Sequence, residues 1–487
     1  MRHSFLLGLL AMASCALAQT NKTFTFNITP DGKSNMVAYL PDSPTGRAII
    51  DCPGGGYSHL SMQNEGHDWA KFFNERGIAY FVLTYRMPNG NREIPMSDAR
   101  MAIRTVRDSA CAWKINPRDV GIMGFSAGGH LASTMSTHNE WAERPDFSIL
   151  FYPVVSMNER ETHRGSVVGF LGDNRSDKKL VRDFSNFNAV RRHLTPPAII
   201  LLANDDRAVP PVTNGIAYYS AMRRAGNDCT LHVYTSGGHG FGFRSNFKYH
   251  KQMLEDLDTW LRDLKAPKAD AKRVACIGNS ITDGMGIDMA GRLGYPAQLQ
   301  RILGSGYDVK NFGVSARTML RKGDYPYMNE QAWKDAMGFI AAGKNGGDAA
   351  DIVIIKLGTN DSKDYNWKYG SEFETDMQEM IDSLCPMVPV LNKKGKPTKK
   401  MKRADSPKIF LCTPIKPVKD IWGIADERIN NGVIPAIRRV AEKNGLKVID
   451  LNTLFPIDGG NMQGDGIHPT DKGARKMAEI IAEEIKK

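Results

Sequence analysis

Cysteine is scarce in this chain, with seven in 487 residues. The six that follow residue 18 lie far apart, which excludes a close-spaced metal knuckle and a dense disulfide framework. Cys52, Cys276 and Cys412 fall in or beside apolar runs and read as buried thiols acting as small hydrophobes. Long apolar stretches are equally lacking. Past the first eighteen residues nothing is long and apolar enough to span a bilayer. No short internal repeat is present, and charged residues at 24% with 41% apolar content exclude extended disorder.

The first eighteen residues read as a targeting segment. Arg2 and His3 give a basic start, residues 5–17 are apolar, and Ala16-Leu17-Ala18 provides the small residues that a signal peptidase needs before Gln19. The expectation is an exported chain, periplasmic or secreted. Cys15 offers a lipid-anchor alternative, disfavoured because Met12 stands where such sites usually carry Leu.

The formal charge is +11, and residues 393–403 alone carry seven basic residues. No aromatic side chains are interleaved with them to stack on bases, so the run is expected to be a solvated loop and no nucleic-acid partner is expected.

A length of 487 residues predicts more than one domain. From residue 19 to 264, apolar runs at 48–52, 78–84, 120–124, 148–152, 198–203 and 231–234 read as strands. Stretches at 98–113, 128–137 and 215–224 read as helices between them. A small, charged, proline-bearing segment at 265–272 reads as a linker. A second alternation follows over 273–487, with strands expected at 274–277, 352–357, 408–411 and 446–449 and a helix at 471–485. Alternation of this kind predicts mainly parallel sheets covered on both faces.

Two sets of residues carry chemistry. Gly124-Phe125-Ser126-Ala127-Gly128 stands between a strand and a helix, where the glycines permit a sharp bend that exposes a serine hydroxyl. Such a serine needs a base and an orienting acid. His239 and Asp206 follow in the order Ser, Asp, His, each just past a strand; Asp205 is the rival acid. The amide of Ala127 and those of Gly55 and Gly56, in Pro53-Gly54-Gly55-Gly56-Tyr57, are candidates to receive an oxyanion. In the second half Gly278-Asn279-Ser280 follows a strand, and Asp465-Gly466-Ile467-His468 puts an acid three residues before a histidine. Gly313 and Asn360 offer a backbone and a side-chain N–H to an oxyanion.

The blocks Cys-Pro-Gly-Gly-Gly-Tyr, Gly-Phe-Ser-Ala-Gly-Gly-His, Asp-Asp-Arg-Ala-Val-Pro-Pro and Gly-Gly-His-Gly-Phe resemble the acetyl xylan esterase and feruloyl-esterase-like branch of α/β hydrolases. Pro53 stands where related lipases often carry His. The second half resembles SGNH, or GDSL-like, hydrolases, with Gly-Asn-Ser in place of Gly-Asp-Ser. These resemblances imply a two-domain α/β protein, an α/β-hydrolase fold followed by a flavodoxin-like three-layer α/β/α SGNH fold. They imply nucleophiles Ser126 and Ser280, no metal and no cofactor, and an acetylated polysaccharide or oligosaccharide as substrate. Two alternatives stay open: feruloyl ester cleavage in the first half, and de-O-acetylation of host glycans such as sialic acids, because the stretch from Asn360 to Trp367 resembles bacterial members acting on acetylated sugars, including sialate O-acetylesterases. Tyr57, Phe241 and Phe243 are candidate walls of the first site.

Overall fold

The computed structural model describes residues 22–342, 351–391, 396–404 and 407–487; the targeting segment lies outside them. The chain divides into two compact units that part between Ala269 and Asp270.

The first unit is built on eight strands: β1 (Thr23–Asn27), β2 (Asn35–Tyr39), β3 (Ala48–Cys52), β4 (Ala79–Thr84), β5 (Val120–Phe125), β6 (Ser148–Phe151), β7 (Ala198–Ala203) and β8 (Cys229–Tyr234). Their order is β1-β2-β4-β3-β5-β6-β7-β8. The β1–β2 and β2–β4 pairs are antiparallel and the rest parallel. Both faces are buried, so the central strands are mostly apolar, with Asp51 of β3 and Ser148 of β6 as buried polar exceptions, and successive residues enter different cores. Ile50 and Ile122 pack with Ala102, Leu131 and Met222 on one face. Ile49 and Met123 pack with Trp69, Met253 and Leu257 on the other.

The second unit has five parallel strands in the order β10-β9-β11-β14-β15. They are β9 (Lys272–Gly278), β10 (Tyr307–Gly313), β11 (Ile352–Lys356), β14 (Lys408–Cys412) and β15 (Lys447–Ile449). This is the doubly wound, flavodoxin-like order. Val274, Cys276 and Ile354 pack against Leu299, Met477 and Ile481 from helices Tyr295–Leu303 and Asp471–Lys486.

Three local expectations are corrected. The helix read at 98–113 runs over Glu93–Asp108. It takes Pro95 into its first turn, where a missing N–H removes no helical bond, and Trp113 lies beyond its end. The helix read at 128–137 begins at Ser126 itself. The basic run is not a plain loop: β13 (Pro397–Arg403) pairs antiparallel with β12 (Met387–Leu391). Pairing satisfies the backbone while lysines such as Lys399 and Lys402 stay in water; Lys393 and Lys394 lie outside the described residues. Among the described residues no two cysteines are joined in a disulfide.

Candidate active sites

In the first unit, β5 ends at Phe125 and the next residue, Ser126, opens the helix Ser126–His138 with φ +53°. A left-handed conformation at a serine is disfavoured by on the order of 1–2 kcal/mol. It is held by close packing: a Cβ on Gly128 would lie 1.9 Å from the Cys52 carbonyl oxygen. The loops after β7 and β8 bring Asp206 and His239 to the same end of the sheet. Ser126 Oγ–H donates to His239 Nε2 at 2.8 Å, and His239 Nδ1–H donates to Asp206 Oδ2 at 2.7 Å. A carboxylate only accepts, so it fixes the proton on Nδ1 and leaves Nε2 free to take one. Asp206 Oδ1 accepts the amides of Ala208 and Val209, both at 2.9 Å. Asp205 instead accepts the Gly238 amide at 2.8 Å.

The Pro53–Tyr57 loop takes φ +134° at Gly55 and +65° at Gly56. A Cβ at Gly55 would stand 2.1 Å from the His59 carbonyl oxygen, so that turn requires glycine. Ala127 is fully buried in the first helical turn, where its amide has no intrahelical acceptor. Tyr57 and Phe241 are packing residues, each 2% exposed. The Tyr57 hydroxyl bonds to His130 Nδ1 at 2.9 Å, and burial lowers the His130 imidazole to about 4. Phe243 packs on Trp69 at 4.9 Å between ring centroids.

In the second unit, register assembles the site. Gly278, at the end of β9, pairs with Gly313 of β10 on one side and with Lys356 of β11 on the other. Ser280, Gly313 and Asn360 therefore stand at the carboxyl ends of three adjacent parallel strands, where ligands of open α/β sheets bind. Ser280 Oγ–H donates to His468 Nε2 at 2.8 Å, and His468 Nδ1–H donates to Asp465 Oδ2 at 2.8 Å. Asp465 Oδ1 accepts the amides of Ile467 at 2.9 Å and His468 at 3.0 Å. Burial alone would raise the Asp465 carboxyl, but these amides and the imidazole hold it below its ordinary range. Asn360 Nδ2 donates to the Arg317 carbonyl at 3.1 Å, and the Gly313 amide donates to Asn311 Oδ1 at 2.8 Å.

Residues 49–243 match the alpha/beta hydrolase fold family model, and residues 276–476 match that of the GDSL-like Lipase/Acylhydrolase family. The acetylxylan esterase of Xylanibacter ruminicola is 58% identical over 489 residues, covering 100% of both chains. The chain belongs to the acetylxylan esterase family. Endo-1,4-beta-xylanase B of Butyrivibrio fibrisolvens is 34% identical over 42% of this chain and 34% of its own length. Among solved structures, an acetyl ester-xyloside bifunctional hydrolase from Caldicellulosiruptor lactoaceticus is 36% identical, with a TM-score of 0.44, over 47% of this chain and 87% of its own.

Several residues of this acetylxylan esterase family member that bear on the sites carry no motif. Glu65, 5% exposed, accepts the Gly54 amide on Oε2 at 3.0 Å and the Tyr152 hydroxyl on Oε1 at 2.7 Å. The same hydroxyl accepts the Gly242 amide at 3.0 Å, and the Tyr152 ring meets His239 edge-on at 4.8 Å. Burial raises the Glu65 carboxyl, with Tyr152 and His239 opposing. His163 stands against Gly56, 3.1 Å from where a Cβ would lie. Burial, then the charge of His239, lowers its imidazole. In the second unit Lys356 is fully buried, its Nζ donating to Thr359 Oγ1 at 3.1 Å and Asn279 Oδ1 at 3.5 Å. Trp367 packs on Phe373 at 5.9 Å between ring centroids.

Proposed function

We propose that both units hydrolyse acetyl esters on plant polysaccharide, acetylated xylan or its oligosaccharides, by serine catalysis. The observation that carries the chemistry is the Ser–His–Asp relay present twice, each contact between 2.7 and 2.8 Å. The choice of substrate is supported by the full-length identity to an acetylxylan esterase.

In this reading Ser126 Oγ attacks the acetyl carbonyl carbon while His239 Nε2 takes its proton. The oxyanion that forms is received by the amides of Ala127 and of Gly55 or Gly56. Collapse breaks the bond to the sugar oxygen, which leaves with the proton from His239, and acetyl remains on the serine. Water then attacks with His239 again as base, and acetate departs with the hydroxyl of Ser126 restored. Ser280, His468 and Asp465 take the same parts in the second unit, with Gly313 and Asn360 as oxyanion donors. Neither cycle calls for a metal or cofactor.

The partner in this reading is an acetylated oligosaccharide; the basic run over residues 393–403 has no interleaved aromatic side chains to stack on bases, so nucleic acid is not proposed as a partner. Export to the periplasm or medium, after cleavage before Gln19, places the enzyme where such polymers are met.

The test is acetate release from acetylated xylo-oligosaccharides by wild type, Ser126→Ala, Ser280→Ala and the double variant. Stepwise loss, complete only in the double variant, is expected. Release from sialylated mucin or feruloyl esters in place of xylan would move the substrate to one of the alternatives.

A further inference from the structure

Trp422 is 57% exposed, yet its ring centroid lies 6.0 Å from that of His468. It occupies the tip of a tight turn, Ile421 to Ile424, closed by the Ile424 amide donating to the Ile421 carbonyl at 2.9 Å. Trp422 has φ +54° and Gly423 φ +79°. Two successive left-handed residues make a turn of the kind that favours Asn-Gly, and a bulky aromatic is disfavoured at its first position. The turn is held from below. Arg428 Nη2 donates to the Gly423 carbonyl at 3.0 Å and the Ala425 amide donates to Ser362 Oγ at 3.3 Å. Ile421 packs on a small core of Ile424, Ile429, Ile434 and Ile467, the last adjacent to His468. A strained, rigidly mounted and exposed indole beside the histidine points to a functional role.

The reaction tells which part of a substrate meets it. His468 protonates the departing oxygen, so the alcohol, not the acetyl group, lies on the histidine's side of the site. A pyranose offers a face of axial C–H groups that packs on an aromatic plane. We propose that Trp422 is the platform on which the second site seats the pyranose ring of the leaving alcohol, and so selects sugar esters over small esters. This rests on the reading of Ser280 and His468 as an acyl-transfer pair.

The test uses the full chain carrying Ser126→Ala, so that only the second site turns over. The quantity read is kcat/KM for acetylated xylo-oligosaccharide, and for acetylated glucose, each divided by kcat/KM for ethyl acetate, whose alcohol is too small to stack. Trp422→Asn suits the turn and removes the ring; its ratios are expected to fall about tenfold or more. Trp422→Phe, which keeps a ring, is expected to hold them within roughly threefold. Unchanged ratios in Trp422→Asn overturn the proposal, because a residue that merely braced His468 would slow all three esters together. If acetylated glucose is cleaved but xylo-oligosaccharide is not, and the glucose ratio still falls, the xylan reading fails and the platform stands. Cleavage of ethyl acetate alone, or of nothing, by the Ser126→Ala parent overturns the platform.

Discussion

Asp206 and Asp465 hold their histidines by the same arrangement on two different folds. Each gives Oδ2 to an imidazole Nδ1–H and Oδ1 to the amides two and three residues downstream. One acid lies 33 residues before its histidine and the other three. The shared element is therefore a local turn that fixes the carboxylate plane, independent of how the chain delivers the ring.

From this follows a matched pair of variants. Asp206→Asn and Asp465→Asn keep one carbonyl oxygen but offer an NH2 to a ring nitrogen or to a backbone amide. The favoured imidazole tautomer is then lost. Each is expected to lower kcat at its own site by about 10³- to 10⁴-fold, read in the chain whose other serine is Ala. A loss below tenfold at either site would show that its acid does not orient the base.

Glu65 is an acceptor facing two donors, the Gly54 amide and the Tyr152 hydroxyl. It thereby ties the glycine loop to the wall beside His239. Glu65→Gln puts an NH2 against one of these donors. First-site kcat is expected to fall about 10- to 100-fold, with stability lowered by roughly 1–3 kcal/mol. Measured in the Ser280→Ala chain, unchanged kcat with lowered stability would reduce Glu65 to a packing role.

Ser126, Asp206, His239 and Ser280 are legible because each lies just past the end of an apolar strand, so motif and strand end coincide, whereas Asp465 and His468 lie well beyond β15 and are legible only from their mutual spacing. Glu65 is not legible. It sits in an irregular segment, and only the sheet brings Tyr152 and Gly242 onto it. β1, β2 and β10 also lack a clear signal in the sequence. β1 alternates threonine with phenylalanine and β10 carries Asp308, Lys310 and Asn311, so neither shows an apolar run; β2 has one over residues 36–40, but it is short and pairs antiparallel near the sheet edge, outside the strand–helix alternation. Trp422 belongs to no block, and its left-handed backbone is visible only in three dimensions.

The two candidate oxyanion donors of the second site differ in freedom. The Gly313 amide is engaged by Asn311 Oδ1, whereas Asn360 has two N–H groups and gives one to Arg317. Asn360 is thus better placed to meet a developing charge. Asn360→Ala is expected to lower kcat about 10²- to 10³-fold, and Asn311→Ala less than about tenfold, since it frees the Gly313 amide. Both are read in the Ser126→Ala chain; the reverse ranking would make Gly313, braced by Asn311, the principal donor.

Lys356 carries a pH signature. Burial pulls its ammonium down to about 7, against a smaller opposing effect of Cys412, while in the unfolded chain it titrates near 10.4. Between those values the unfolded state binds more protons, so this residue makes stability rise with pH from about 7 toward 10. Below pH 7 both states are protonated and the contribution is flat. Lys356→Met, close in volume, removes the buried charge and with it this slope. The difference in urea midpoint between wild type and Lys356→Met, for the transition of the second unit, should favour the variant most near pH 7 and shrink as pH climbs to 9. A difference independent of pH would mean that Lys356 stays charged when buried, held by Thr359 and Asn279, and the variant would then be less stable for want of those bonds.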